Sequence, residues 1–543
     1  MKSIIKISSV VVLSLFLGSC IQETLPQTDY VTSGQASSAP NAFNNFVAAC
    51  TILTGQFTYS GSDQYPWDFG YPSFFLQRDV MGQDIAVENS GSEHYSTWYQ
   101  CSTGLGPRFA VCQLPWTYYY GWINDCNTVI KMGGEEPSEL QKHGVGIARA
   151  MRAMFYMDLA RMYGKTYAGN PDAETVPIVD EKTTDYTNNP RATNTKIWSF
   201  IIEDLDKAEA LLDGYVRKDK KTPDVSVVYG LKARAYLTME NWSEAEKYAK
   251  LAQTGYSALT SEDYIDRNNG FNSELSASWM FATGYKSDDP NIIYNDGDSS
   301  WASQMILETS SGMGYAANYG TPKRIDAHLY ETIPATDIRK KCFIDPAIDD
   351  MTDEAAIKTA LAEYSDYPDN LIGTATATTS KKFGCLSVKF RNGGGAAGIT
   401  NQYVGFCVDV PLMRVEEMML IEAEAAGMQE EARGKALLET FAKLRNPSWT
   451  YDSMATFRDQ VWWQRRVELW GEGFATFDIK RLKKGITRSY AGTNHPEGYR
   501  WNTTETPQWM DLCIVDTEVK YNPACTNNPT PVAPTSDSPE FQW

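Results

Sequence analysis

Apolar residues recur at the 3.6-residue period of amphipathic helices toward both ends of the chain and lose that period in the middle. The pattern predicts helices over 41–57 and 109–132, with an aromatic, Gly- and Ser-rich stretch between them. A capping-box signal, Ser138-x-x-Gln141, opens a long helix predicted to run through Met162. Ile197, Phe200, Ile201, Leu205, Ala208 and Leu212 then recur at helical spacing among Glu203, Asp204, Asp206 and Lys207. Over 226–259, Tyr229, Ala233, Tyr236, Ala245 and Ala252 occupy the offsets of a tetratricopeptide (TPR) repeat. Small Ala residues there let two antiparallel helices approach closely, and Ser243-x-x-Glu246 supplies a capping box for the second helix. Another helical pair is predicted over 412–445. The expected fold is therefore mainly α, a TPR-like scaffold of helical pairs carrying a large, irregular, loop-rich variable region.

That region, 260–411, is rich in Gly, Asp, Ser and Tyr. It carries short strand-like runs such as 386–390 and a flexible loop at Gly393-Gly394-Gly395. Irregular stretches of this length inside a folded chain usually carry function.

The first twenty residues read as a targeting segment rather than as fold. Lys2 and Lys6 precede an eleven-residue apolar run, 7–17, that is too short to span a bilayer. It ends in Leu17-Gly18-Ser19-Cys20, which resembles a lipobox, so Cys20 is expected to be acylated and to become the new N-terminus. Each buried lipid CH₂ contributes about 0.8 kcal/mol, so several acyl chains hold a protein on a membrane almost permanently. The expected organisation is a signal peptide (1–19), a lipidated tether (20–40), an N-terminal region with TPR-like helices (41–260), the variable region (261–411) and C-terminal helices with a tail (412–543). The last three are expected to form one compact globular unit.

Composition narrows the function. The 543 residues carry 49 Lys and Arg against 68 Asp and Glu, a formal charge of −19, which disfavours nucleic acid and electrostatic docking on an anionic membrane. The 15 Trp and 31 Tyr outnumber the 21 Phe. Rings with a polar handle suit surfaces that bind polar ligands with apolar faces. Besides Cys20 there are nine cysteines with no C-x-x-C, and the four histidines form no H-E-x-x-H, so no metal site or cofactor is expected. The cysteines read as buried thiols, with a Cys101–Cys112 disulfide left open. Neither G-x-S-x-G nor a P-loop occurs, so no catalytic residues are assigned.

Longer motifs carry a family resemblance. The run 148–156, leading to Met162-Tyr163-Gly164 and Val176-Pro177, resembles the first conserved helix of SusD/RagB lipoproteins. Arg191-Ala192-Thr193, the run 201–205, Pro411-Leu412-Met413-Arg414-Val415-Glu416-Glu417 with Ala423-Glu424-Ala425, and the runs 464–469 and 477–481 continue it. Asn522-Pro523 and Asn528-Pro529 close it. Gln464 stands where the family usually has Glu, and Ala475 where it often has Arg. Arg414, Glu417 and Glu424 are expected on one helical stripe, in a scaffold ion-pair network together with Arg466, Glu468, Glu472 and Asp478.

The resemblance implies a surface-exposed outer-membrane lipoprotein of Bacteroidetes that is not an enzyme. Such a protein binds oligosaccharide and delivers it to a SusC-like TonB-dependent transporter. Peptide cargo, as in RagB-type proteins, and a surface glycoside hydrolase with two facing carboxylates are the competing readings. Candidate ligand-binding residues are Trp67, Trp98, Tyr99, Tyr294, Asp296, Trp301, Tyr315 and Tyr319. Tyr65, Tyr71, Tyr285, Asp68, Glu93 and Asp298 lie nearby, and the run 294–298 leading to Trp301 reads as an exposed loop. Trp242, Trp462, Trp463 and Trp470 fall on helical stretches and are assigned to the scaffold.

Overall fold

Periodic apolar faces become helices stacked side by side. The computed structural model describes residues 41–55, 57–101, 104–452, 455–535 and 538–543. Helix α1 is Tyr71–Val80, α2 Ala110–Gly133, α3 Lys142–Tyr163, α4 Asn194–Leu211, α5 Val225–Met239 and α6 Trp242–Ala252. After the variable region come α7 Val415–Gln429, α8 Glu431–Arg445, α9 Phe457–Glu468 and α10 Ala475–Leu482. Each of α2 to α8 packs on the next, and α6 meets α7 directly although more than 150 residues separate them in sequence. The fold is mainly α.

Close approach is written in small residues. Ala233, Ala245, Ala249 and Ala252 are fully buried between α5, α6 and their neighbours. Gly434 of α8 sits so close to Gly427 of α7 that a Cβ on it would lie 2.2 Å from the Gly427 Cα, which only glycine permits.

Four local expectations shift. The first predicted helix spans Ala42–Thr51 and ends early, because Leu53 and Thr54 run extended beside Gly70 and Tyr71. Helix α3 begins at Lys142 rather than at the Ser138 box. Ser138 Oγ bonds Gln141 Oε1 at 2.8 Å and its carbonyl accepts from Gln141 N, so these residues form the turn before the helix. Helix α6 is capped by Asn241, which accepts from Glu244 N, while Ser243 lies inside the helix. Residues 412–414 belong to a strand, β6 (Asp409–Arg414), antiparallel to β4 (Trp279–Gly284). Its residues are mostly buried, and an apolar run this short fits either element until its partner is known.

The other sheets are two-stranded. β1 (Ile85–Val87) pairs with β5 (Lys323–Ile325), and β2 (Glu174–Pro177) with β3 (Arg191–Thr193). The strand-like run 386–390 makes only isolated bridges, Leu386 to Arg324 and Ser387 to Phe343. Even so, the variable region closes over its own core of Leu307, Ile344, Ile348, Leu361, Leu371, Leu386 and Val388.

Buried ion pairs bolt the helices together. Asp204 of α4 accepts from Arg149 and Arg152 of α3, each at 2.7 Å. Arg234 of α5 holds Glu417 of α7, its Nε 2.7 Å from Oε1. Arg414 is not on a helical stripe with Glu417 and Glu424; it ends β6, and the three acids and bases find separate partners. Arg414 joins Glu416, Glu468 and Glu472, whereas Glu424 joins Arg481 and Arg458. Arg466 turns instead to Asp84, and Asp478 holds Arg465 and Arg481. The nine described cysteines are free thiols, eight of them buried; Cys101 and Cys112 donate to the carbonyls of Trp98 and Leu105 rather than joining each other.

Candidate functional site

One face gathers exposed rings from loops far apart in sequence. The first loop is pinned from below by Asp68, a fully buried carboxylate. It accepts from Tyr59 N (3.0 Å), Ser60 N (2.6 Å), Ser60 Oγ (2.8 Å) and Tyr118 Oη (2.6 Å). The loop so held presents Tyr59, Tyr65 and Trp67. The Tyr65 and Trp67 centroids lie 4.9 Å apart at 31°, and those of Tyr59 and Trp67 5.6 Å apart at 45°. Tyr65 is 42% exposed and Trp67 half-buried.

A second loop system stands beside it. Asp298 is buried, accepts from Gly314 N at 2.7 Å and thereby ties 298 to the segment bearing Tyr315 and Tyr319. Burial pushes its carboxyl up to about 6 against the opposing hydrogen bonds from Gly314, Tyr319 and Ser303. The Tyr315 and Tyr319 centroids are 5.3 Å apart, and His94 meets Tyr315 edge-on at 4.6 Å. Tyr294 is exposed, and Asp296 accepts from Tyr403 Oη at 2.8 Å. Asn295 and Asp296 both adopt left-handed backbone, which those residue types tolerate best after glycine.

Three bonds tie the two loop systems together: Ser299 Oγ to Gln64 O (3.4 Å), Asn291 Nδ2 to Asp68 O (3.3 Å) and Tyr285 Oη to Phe69 O (3.1 Å). The exposed and half-buried rings therefore stand on two mutually bonded loop systems, with Asp296 in the second. Ring faces can cover apolar C–H patches of a ligand, while phenol and carboxylate oxygens bond its polar groups. Among the described residues no group of three or more His, Cys, Asp or Glu is placed to hold a metal ion.

The model of the SusD family matches residues 179–530, from the end of β2 to the C-terminal tail. The chain belongs to the SusD family. A second model, described as starch-binding and associating with the outer membrane, matches residues 74–237 of this SusD-family chain. Comparison with curated proteins returned no match. Among solved structures, a SusD-like carbohydrate-binding protein from Bacteroides vulgatus superposes with a TM-score of 0.68 at 22% identity, over 89% of this chain and 96% of that one. A second SusD-superfamily protein from the same species gives 0.67 at 20%, over 92% and 99%. Surface glycan-binding protein A from Bacteroides thetaiotaomicron, solved in complex with laminarihexaose, gives 0.61 at 17%, over 90% and 98%.

Within this SusD-family fold the candidate residues divide. Trp67, Tyr294, Asp296, Tyr315 and Tyr319 lie on the aromatic face. Trp98, Tyr99 and Trp301 do not: at 2, 0 and 1% exposure they are core rings with no face free for a ligand. Trp98 lies beneath Trp67 and beside Tyr95, Tyr99 stacks on His495, and Trp301 is wedged between Phe75 and Phe390. Large rings on short helices bury their area wherever a neighbouring layer exists, which composition alone does not reveal. Tyr71 and Tyr285 are buried as well. Asp68 and Glu93 are structural, Glu93 bonding Lys323 Nζ at 2.9 Å and Tyr95 N at 2.8 Å. Tyr59, His94 and Tyr403 join the face without having been singled out; Tyr403 arrives from beyond the Gly-rich segment, and no local signal marks it. Cys20 lies outside the described residues.

Proposed function

We propose that this protein is a cell-surface lipoprotein of the outer membrane that captures oligosaccharide and hands it, without cleaving it, to a SusC-like TonB-dependent transporter. The observation that carries the reading is the joined face of Tyr59, Tyr65 and Trp67 with Tyr294, Tyr315 and Tyr319. A fold relative crystallised with laminarihexaose supports a glycan as cargo, and the outer-membrane description of the matched family model supports the location. Among the described residues no helix is long and apolar enough to cross a membrane, which accords with a lipid on Cys20 as the anchor.

Affinity electrophoresis through gels containing laminarin or other polysaccharides tests the cargo. Retarded migration without released product is expected; turnover by pure protein, or co-purified peptide in place of sugar, overturns it. Cys20→Ala is expected to leave the membrane fraction, and protease shaving of intact cells should remove the wild-type protein. Retention of the variant in membranes would sink the anchor.

A further inference from the structure

A polar cavity lined by none of the aromatic-face residues opens where the end of β1, β5, the 346–349 turn, 379–385 and 492–500 converge. Its volume is about 440 Å³, within the ~300–1,000 Å³ typical of small-ligand pockets. Its inner wall is electrostatically closed. Glu88 accepts from Arg324 Nε (3.0 Å), Ser380 Oγ (2.7 Å) and Thr379 Oγ1 (2.9 Å), and the remaining Arg324 donors go to the carbonyls of Gly384 and Lys382. The rim is not closed. Lys382 Nζ has no hydrogen bond or ion pair among the described residues, and Arg500 spends only Nε, on His495 O at 2.8 Å, leaving both terminal nitrogens free. Asp349 uses one carboxylate oxygen, on Phe383 N and Gly384 N, and leaves the other free; the Asn89 amide is also unengaged.

The lining sets Arg324, Lys382 and Arg500 against Glu88 and Asp349, so it is locally positive on a chain of formal charge −19. Free cationic donors with one amide and one spare carboxylate oxygen match a ring bearing both an acid group and hydroxyls. Guanidinium and ammonium bind the acid, while Asn89 and Asp349 bond the hydroxyls. From this juxtaposition we infer that the cavity is a second, separate binding site for an acidic sugar of the uronate class. That the ligand is a saccharide rests on the function proposed above; that the cavity binds an anion does not.

Calorimetric titration of the whole soluble chain with tetragalacturonate, its neutral methyl ester and inorganic sulfate tests this. Tetragalacturonate is expected to bind, with the ester about tenfold weaker, since a charge-assisted bond is lost. The double variant Lys382→Ala/Arg500→Ala should lose the acidic oligomer by at least about tenfold while keeping its retardation in polysaccharide gels. Trp67→Ala should do the reverse. Absence of tetragalacturonate binding, or binding unchanged in the double variant, overturns the site while leaving the platform reading intact. Sulfate binding as tightly as the oligomer overturns the saccharide assignment. Failure of every polysaccharide to retard a chain that still binds tetragalacturonate counts against the platform instead.

Discussion

The Trp67 ring meets Trp98 edge-on, centroids 5.6 Å apart at 67°, and the two tryptophans stand on opposite sides of the boundary between surface and core. Trp67→Ala should weaken polysaccharide retardation about tenfold, from the loss of ~1.5 kcal/mol of ring contact, and destabilise less in urea unfolding than loss of the core ring Trp98. Trp98→Ala should cost about 3–5 kcal/mol in stability. Equal destabilisation by both would make Trp67 a core ring and remove it from the binding face.

Arg414 grips Glu472 with two bonds of 2.9 Å while also meeting Glu468 at 3.2 Å, all without solvent. Removing one partner of a buried pair strands the other charge, so Arg414→Ala should lose about 3–5 kcal/mol in denaturant titration. The exposed Lys207–Glu203 pair on α4 offers the contrast: Lys207→Ala should be indistinguishable from wild type.

Two buried aspartates should give opposite pH trends. Burial favours the neutral Asp158 carboxyl, but Arg78 and Arg161, with the hydroxyls of Tyr71 and Tyr119, hold it down at about 2, below its usual 3.8. Its folded-state value is depressed, so it contributes stability above the unfolded value and loses it as pH falls from about 4 to about 2. The advantage of wild type over Asp158→Asn should shrink across that window.

Asp79 runs the other way. Burial pushes its carboxyl up to about 7, against the N–H groups of Ala475 and Gly473. Its contribution is full below the unfolded value of about 4, declines as pH rises to about 7, and is level beyond. Urea unfolding across this range should show the wild-type advantage over Asp79→Asn falling with rising pH; a difference independent of pH would contradict the assignment.

The start of α6 separates a sequence signal from a structural cap. Asn241→Ala should cost about 1 kcal/mol, because the Glu244 N–H loses its acceptor, while Ser243→Ala should have little effect. Thermal unfolding of the two variants decides between them.

Much of the helical half was legible because its signals are local. The period of apolar residues located α2 and α3, and the Ala spacing of 226–259 marked α5 and α6 as a close pair. Two errors there were of one kind: Ser138 and Ser243 fit a capping box, yet neighbouring residues closed the turn or took the cap. Residues 412–414 read as helix until β4 arrived from the far side of the variable region to pair with them.

By itself the sequence determined the mainly α class, the order of helical pairs, the family and the acidic balance, since periodicity and motif spacing survive without knowledge of contacts. Only the tertiary structure decided which aromatics see solvent. Trp67 and Trp98 are the same residue type in the same aromatic stretch between the first two predicted helices, and one is covered because Tyr95 and Trp67 pack over it. It also decided that Arg414 serves Glu472 rather than Glu417, and that Lys382 and Arg500, over a hundred residues apart, share one cavity. Burial and pairing are properties of what folds back from elsewhere in the chain, and no local pattern encodes that return.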